Sequence, residues 1–374
     1  MFAPTRLFYA IRNNADAGLL YAAAAVTVLF AATPFVIPAV ADEFDVTVGR
    51  AGYLSSAQVG GFALAAFVAG RRFRADRRIL VGASLAGVVF NLSSMLAPTF
   101  AVLVGLRVLT GISGGLLVWL AWADAMRDSS ALRKVAAVGP LTALVAAPLL
   151  SWIADVGGAD AVFGVIAISF VPSALLPATF SGSRKIRKRL SPSRSNVVLI
   201  IALGINTMAG SALFVFGAVI GESLGIDPVL VSVSYSLNAL AGFIAARRSA
   251  ANMMNGTWIL GMALCAAGVA FGGPVLFVLG MTFWGFCFWM STPPILHAIA
   301  AWSLAPDERV GDAQSAMAIG RAAGPAIGAM LVGDAVFTSV AIFTIVGLAV
   351  AATTVLGVGQ YRRTHAPPVG VVGV

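Results

Sequence analysis

The sequence predicts an all-α polytopic membrane protein with twelve transmembrane helices in two pseudo-symmetric six-helix bundles. Three observations carry that expectation. Of 374 residues, 59% are apolar and 10% are charged, at a mean hydropathy of +0.95; soluble domains carry about 25% charged residues, so this chain cannot cover itself with a water-facing shell. Breaks at charges, Gly/Pro pairs and polar clusters leave twelve apolar runs, each near the ~20 residues that a helix needs to cross lipid. The charges between the runs then alternate in sign. Together these exclude an ordinary soluble enzyme, a disordered chain and a disulfide scaffold.

The first run, 19–41, follows Arg6 and Arg12. From Leu19 to Pro38 it is longer than the roughly 7–15 residues of a secretory h-region, so it reads as a spanning helix and not as a leader cleaved after Ala39-Val40-Ala41. Run two, 51–70, holds Gln58 and ends at Arg71-Arg72. The third and fourth are 79–97 and 101–123, the latter with Arg107 inside it. Runs 135–154 and 161–180 close the first half, the former carrying Gly139-Pro140. In the second half, 197–221 holds Asn206, and 229–246 holds Tyr235 and Asn238 and ends at Arg247-Arg248. Run 253–272 is followed by the aromatic-rich 275–296, where Pro293-Pro294 is expected to kink or end the helix. The last two are 313–333, with Arg321 and Gly324-Pro325, and 336–358. Their all-round hydrophobicity excludes barrel strands, which would alternate over ~10 residues.

Of 24 Lys and Arg, all but Arg50, Arg107 and Arg321 fall in the terminal segments or the even-numbered loops. The other side carries Arg50 with Asp42, Glu43, Asp45, Asp155, Asp160, Glu222, Asp227 and Asp334. The positive-inside rule then places both termini in the cytoplasm, and the expected location is a bacterial inner membrane. A net charge of +9 distributed this way reads as topology and contact with lipid, and nucleic acid is not an expected partner. The expected division is 1–180 for the first bundle, 181–195 for a basic cytoplasmic linker, 196–361 for the second bundle and 362–374 for a cytoplasmic tail. The halves echo each other: Gln58 and Asn238 sit in helices that end in paired arginines, and Gly-Pro recurs in the fifth and eleventh runs. A six-plus-six repeat points to a transporter whose site lies near the bilayer midplane.

Three stretches resemble the major facilitator superfamily. Ile37-Pro38-Ala39-Val40-Ala41-Asp42-Glu43-Phe44 with Ala51-Gly52 is similar to that family's passage from helix 1 to helix 2. Arg107-Val-Leu-Thr-Gly111-Ile-Ser-Gly114-Gly115 resembles the Arg-x-x-x-Gly-x-x-Gly pattern of its proton-driven members. Gly320-Arg-Ala-Ala-Gly324-Pro325-Ala-Ile-Gly328-Ala329 is similar to the family's antiporter signature, which normally sits in helix 5; here the fifth run keeps only degraded pieces. The loop Gly70-Arg-Arg-Phe-Arg74-Ala-Asp76-Arg77-Arg78 departs from the family pattern, its acid arriving two residues late. The resemblance implies a drug or sugar exporter coupled to protons, with Gly70, Asp76, Arg77, Arg78, Gly111, Gly114, Gly324, Pro325 and Gly328 in gating or conformational roles.

A cation within a spanning helix costs about 2.5–3.5 kcal/mol on insertion scales, so Arg107 should meet a partner or a cavity. Arg321 is the second such cation, with the alternative that it snorkels toward the helix end near Asp312. Further candidates for the solute or proton path are Asn206, Gln58, Tyr235, Asn238, Trp284 and Phe288. Trp284, Phe288 and Ser291 share one helical face and Phe286 and Trp289 another, and periodicity does not choose between them. No acid occupies the middle third of any run. The possible proton carriers are therefore Asp124, Glu222 and Asp42 at run ends, and His297. An arginine without an acid favours anionic, zwitterionic or carbonyl-rich solutes. Cys265 and Cys287 read as buried free thiols. No nucleophile–His–acid set, phosphate loop or metal spacing is present, so no enzyme activity, metal or cofactor is expected. The expected function is secondary active transport of a small organic solute by a monomer, as proton-coupled efflux. Gradient-driven uptake and a non-transporting receptor of the same fold remain the alternatives.

Overall fold

The computed structural model describes residues 17–125, 129–180, 193–248, 256–304, 306–332 and 336–365. Among them every regular element is a helix. Each apolar run of the sequence falls on a helix or on a pair separated by a break. Among the described residues seven helices are long and apolar enough to cross a membrane, and a bent pair makes an eighth. Large apolar side chains such as Leu96, Leu175, Leu264 and Met330 are more than 70% exposed, which suits a protein whose surroundings are lipid.

The chain divides into two compact units: Met1–Phe44 with Ala57–Lys185, and Asp45–Ser56 with Ile186–Val374. In the first unit, α1 (Ala17–Ala31) and α2 (Thr33–Glu43) are one run bent by 47°. Pro34 lies at the start of α2 and Pro38 inside it, and each lacks the N–H that a continuous helix would use. α3 (Val48–Ala51) is a single turn whose first residues are capped by Thr47, which accepts from the Arg50 N–H at 3.2 Å. α4 (Tyr53–Arg72) carries the boundary between the units within its first turn. α5 (Arg77–Ser94) begins at Asp76, whose carboxylate accepts from the Arg78 N–H at 3.3 Å. α6 (Phe100–Ala125) follows, and α7 (Ser129–Leu175) holds both remaining runs, broken where Gly158 takes a φ of 65°. α1 packs on α7, and α5 packs on both α6 and α7.

In the second unit, α8 (Arg194–Phe214) and α9 (Gly217–Ser223) are one apolar run broken at Val215-Phe216. α10 (Pro228–Arg248), α11 (Thr257–Phe271), α12 (Gly273–Ala301), α13 (Pro306–Leu331) and α14 (Thr338–Thr364) complete it. α12 does not end at Pro293-Pro294 but continues to Ala301. Adjacent prolines remove two successive N–H donors, yet the helix continues across them. α8 packs along α13 and α14, and α10 along α12. α3 belongs here by contact: Gly49 faces the carbonyls of Ala329 and Val332 at the end of α13, where a Cβ would lie 2.8 and 3.2 Å away.

Both units repeat one seam. In the first, Gly111 of α6 presses on the Gln58 carbonyl of α4, with Gly61 and Gly115 making equally close backbone approaches beside it. In the second, Gly285 of α12 presses on the Asn238 carbonyl of α10, and Gly242 takes the Trp289 indole. Glycine is required at Gly61, Gly111, Gly115 and Gly285 because a Cβ would occupy the space of a neighbouring backbone, and at Gly242 because it would meet the Trp289 ring. The pairing of Gln58 with Asn238 in the sequence therefore corresponds to equivalent helix contacts.

Candidate transport site

Arg107 is 2% exposed and lies inside the first unit, between α5, α6 and α7. Its Nη1 donates to Asn91 Oδ1 at 3.1 Å and its Nη2 to Ser94 Oγ. Both acceptors are oriented by their own helix. Asn91 Nδ2 donates to the Gly87 carbonyl and Ser94 Oγ donates to the Phe90 carbonyl, each at 2.7 Å, which leaves oxygen lone pairs free for the guanidinium. Ser94 is the last residue of α5, so the charge sits at the negative pole of that helix. The Phe163 ring of α7 lies beneath, 4.5 Å from Cζ. Arg107 makes no ion pair among the described residues. Its Nε and the Thr110 hydroxyl one turn on, both buried, have no partner there either.

Gln58 is 4% exposed and donates to the Leu29 carbonyl at 3.4 Å, just before the bend between α1 and α2. The second unit has a parallel device. The Tyr235 hydroxyl of α10 donates to the Phe214 carbonyl at 2.9 Å, where α8 breaks into α9. A break leaves carbonyls without their usual i+4 donor, and a side chain from the neighbouring helix satisfies one in each case. Tyr235 and Trp284 stand around the Phe214 ring at 5.1 and 5.8 Å. Both are buried and support the break. Asn238 donates to the Met281 carbonyl at 2.7 Å across the α10–α12 seam. Asn206 is fully buried in α8, and neither its Oδ1 nor its Nδ2 has a partner among the described residues.

The faces of α12 that periodicity left open now separate. Trp284 turns to Phe214 and Gly210; Phe286 meets Trp258 of α11 at 5.5 Å; Trp289 packs on Gly242. Phe288 instead meets Arg321 of α13, whose Cζ lies 5.9 Å from the ring centroid. Arg321 is exposed, and its guanidinium lies against mid-α12 and not toward the helix end. Gly320, Gly324 and Gly328 form the stripe of α13 that packs on α8: Gly320 against Gly204 and Thr207, Gly324 against Met208 and Ser211, Gly328 against Ala212 and Phe216. Pro325 is buried beside them. Gly114 faces Leu29 and Val26, and Gly70 lies 3.8 Å from Trp119, measured from an added Cβ.

Asp76 is the cap of α5, Arg77 donates to the Leu176 carbonyl at 3.1 Å, and Arg78 is exposed. Asp42, Glu222 and His297 are exposed near helix ends or outside the core, while the side chain of Asp124 lies outside the described residues. Asp160 stands within electrostatic reach of Glu43, both acids of the side opposite the basic loops in the sequence. The thiols of Cys265 and Cys287 are buried and free. Among the described residues no group of three or more His, Cys, Asp or Glu could hold a metal. Sequence reasoning missed Asn91 and Ser94. Their signal was two polar residues three apart at the end of an apolar run, the spacing of one helical face.

Residues 19–329 match the family model of the Major Facilitator Superfamily. The chain belongs to the major facilitator superfamily. Solved structures share the fold at low identity. A bacterial homolog of the human lysosomal transporter Spinster, inward-facing and occupied, aligns at a TM-score of 0.73 with 12% identity, covering 98% of this chain and 100% of that one. A nucleoside transporter aligns at 0.69 with 13% identity, over 91% and 98%. A D-xylose–proton symporter aligns at 0.65 with 14% identity, over 90% and 96%. No curated protein matches the sequence. As a major facilitator the chain is a multi-pass membrane protein with a secondary-transporter fold, and it is a transporter and not an enzyme.

Proposed function

We propose that this protein exports a small organic solute across a bacterial inner membrane by alternating access, in exchange for protons, with both termini in the cytoplasm. The observation that carries the reading is the repeated glycine seam. Gly111 on Gln58 and Gly285 on Asn238 give each unit a tightly packed helix pair that can move as a block. The Arg107 pattern and the glycine signature around Gly324 support efflux, since both resemble motifs of proton-driven exporters. The charge partition supports the orientation. Uptake is the second reading, favoured by the degraded signature in the fifth run and by the fold's likeness to a D-xylose–proton symporter.

Flux in proteoliposomes under an imposed pH gradient tests the proposal. Uptake into inverted vesicles with an acidic interior supports proton-driven export. Accumulation in the opposite orientation supports uptake, and flux indifferent to pH removes proton coupling. Binding of solutes without any flux contradicts transport altogether.

A further inference from the structure

Arg321 is the sixteenth of 26 residues in α13, and Phe288 is the sixteenth of 29 in α12. Both are therefore near the middle of their helices. The other described cations of the second unit, Arg50, Arg194, Arg247, Arg248, Arg309, Arg362 and Arg363, lie in the first or last turns of theirs. Asp312, the acid nearest to Arg321 along α13, is engaged by Arg309 at 2.5 Å. Arg321 itself makes no hydrogen bond or ion pair with any described residue. A mid-helix cation without a partner cannot rest in lipid, so it is retained for something that arrives.

The geometry of the pair narrows what that is. Phe288 supports the guanidinium and is itself held edge-on by Trp289 at 5.9 Å. A guanidinium supported by a ring keeps its donors in its own plane, where two can engage both oxygens of a planar anion. Gln314, seven residues earlier, is exposed on the same face, about 10 Å away along the axis. One cation balances one charge. A phosphate monoester carries about −1.5 to −2 near neutral pH and would leave excess negative charge beside the single cation.

We propose that Arg321, supported by Phe288, binds the carboxylate of a monoanionic organic solute. The proposal rests on the transport reading only in taking that ligand to be the cargo.

The test uses the full chain in phosphatidylcholine nanodiscs, with equilibrium binding of benzoate, hexanoate and pyruvate. Benzamide serves as the neutral isostere and phenyl phosphate as the dianion. Expected is saturable binding of at least one monocarboxylate, displaced by neither benzamide nor phenyl phosphate at equal concentration. Arg321→Gln should weaken it at least tenfold. Arg321→Lys, which keeps the charge but not the planar fork, should weaken it less, and Phe288→Ala should weaken it severalfold. Each variant is first checked for a monodisperse elution profile. Arg321→Lys keeps the test decisive if the Gln variant does not fold. Equal binding by wild type and either folded Arg321 variant overturns the site, as does the absence of binding by every carboxylate. Loss of benzoate binding when phosphatidylglycerol is added would give Arg321 to lipid headgroups and overturn it too. Carboxylate binding at Arg321 without flux under a pH gradient contradicts the transport reading and leaves the site standing.

Discussion

Replacing Gly324 by alanine tests the packing of α13 on α8. The added Cβ would lie far inside van der Waals contact with Ser211 Oγ and the Met208 carbonyl oxygen, with the Ala212 nitrogen 3.0 Å away. Two of those three atoms are backbone, so a rotamer change cannot make room. Alanine gains about 1 kcal/mol of helix propensity over glycine, while overpacking a tight seam costs about 1–3 kcal/mol. With three atoms to displace, the cost should lie in the upper half of that range, for a net loss of about 1–2 kcal/mol. Gly357→Ala in α14 is the matched control, because nothing lies within 4 Å of its added Cβ; it should gain up to about 1 kcal/mol. Reversible denaturant unfolding of the purified protein in detergent, followed by tryptophan fluorescence, should separate the two variants by about 2–3 kcal/mol, taking those estimates together. A Gly324→Ala protein as stable as the Gly357→Ala protein would refute the reasoning.

Three further outcomes follow from the described contacts. Asn91→Ala removes one acceptor from the buried Arg107 charge and should cost about 1.5–3 kcal/mol in the same unfolding measurement; a neutral effect would mean that the guanidinium is held by something else. Tyr235→Phe removes the hydroxyl that donates to the Phe214 carbonyl and should cost about 0.5–1.5 kcal/mol, with faster amide exchange near the α8–α9 break. Arg362 donates to Asn196 Oδ1 at 2.6 Å, to Ser195 and to the Ala298 carbonyl at 2.8 Å, and stacks on Trp302 at 4.6 Å. Arg362→Gln should therefore raise hydrogen exchange at the start of α8 and the end of α12 while leaving the first unit unchanged.

Much of the fold was legible because hydropathy alone marks apolar runs, and charge sign orders them. What hydropathy does not carry is continuity within a run. The bend before Thr33, the break at Val215-Phe216 and the turn at Gly158 all occur inside apolar sequence, where a bent helix and a straight one have the same composition. Prolines lie at 34 and 38 beside the first, yet α12 runs on through Pro293-Pro294. The correspondence of Gln58 and Asn238 was readable from flanking residues. Their contacts with Gly111 and Gly285 were not, because a glycine's use depends on the backbone opposite it. Arg107 and Arg321 look alike in sequence, each a lone cation in an apolar run. Their difference lies in neighbours far along the chain: Asn91, Ser94 and Phe163 enclose the first, and Phe288 supports the second.

Carrier function is the central claim, and solute counterflow measures it most directly. Proteoliposomes loaded with unlabelled solute, with no ion gradient, are diluted into a trace of the labelled compound. An alternating-access carrier predicts transient accumulation of label above equilibrium, abolished when the vesicles are empty. Label that only equilibrates, at a rate indifferent to internal solute, would contradict the account.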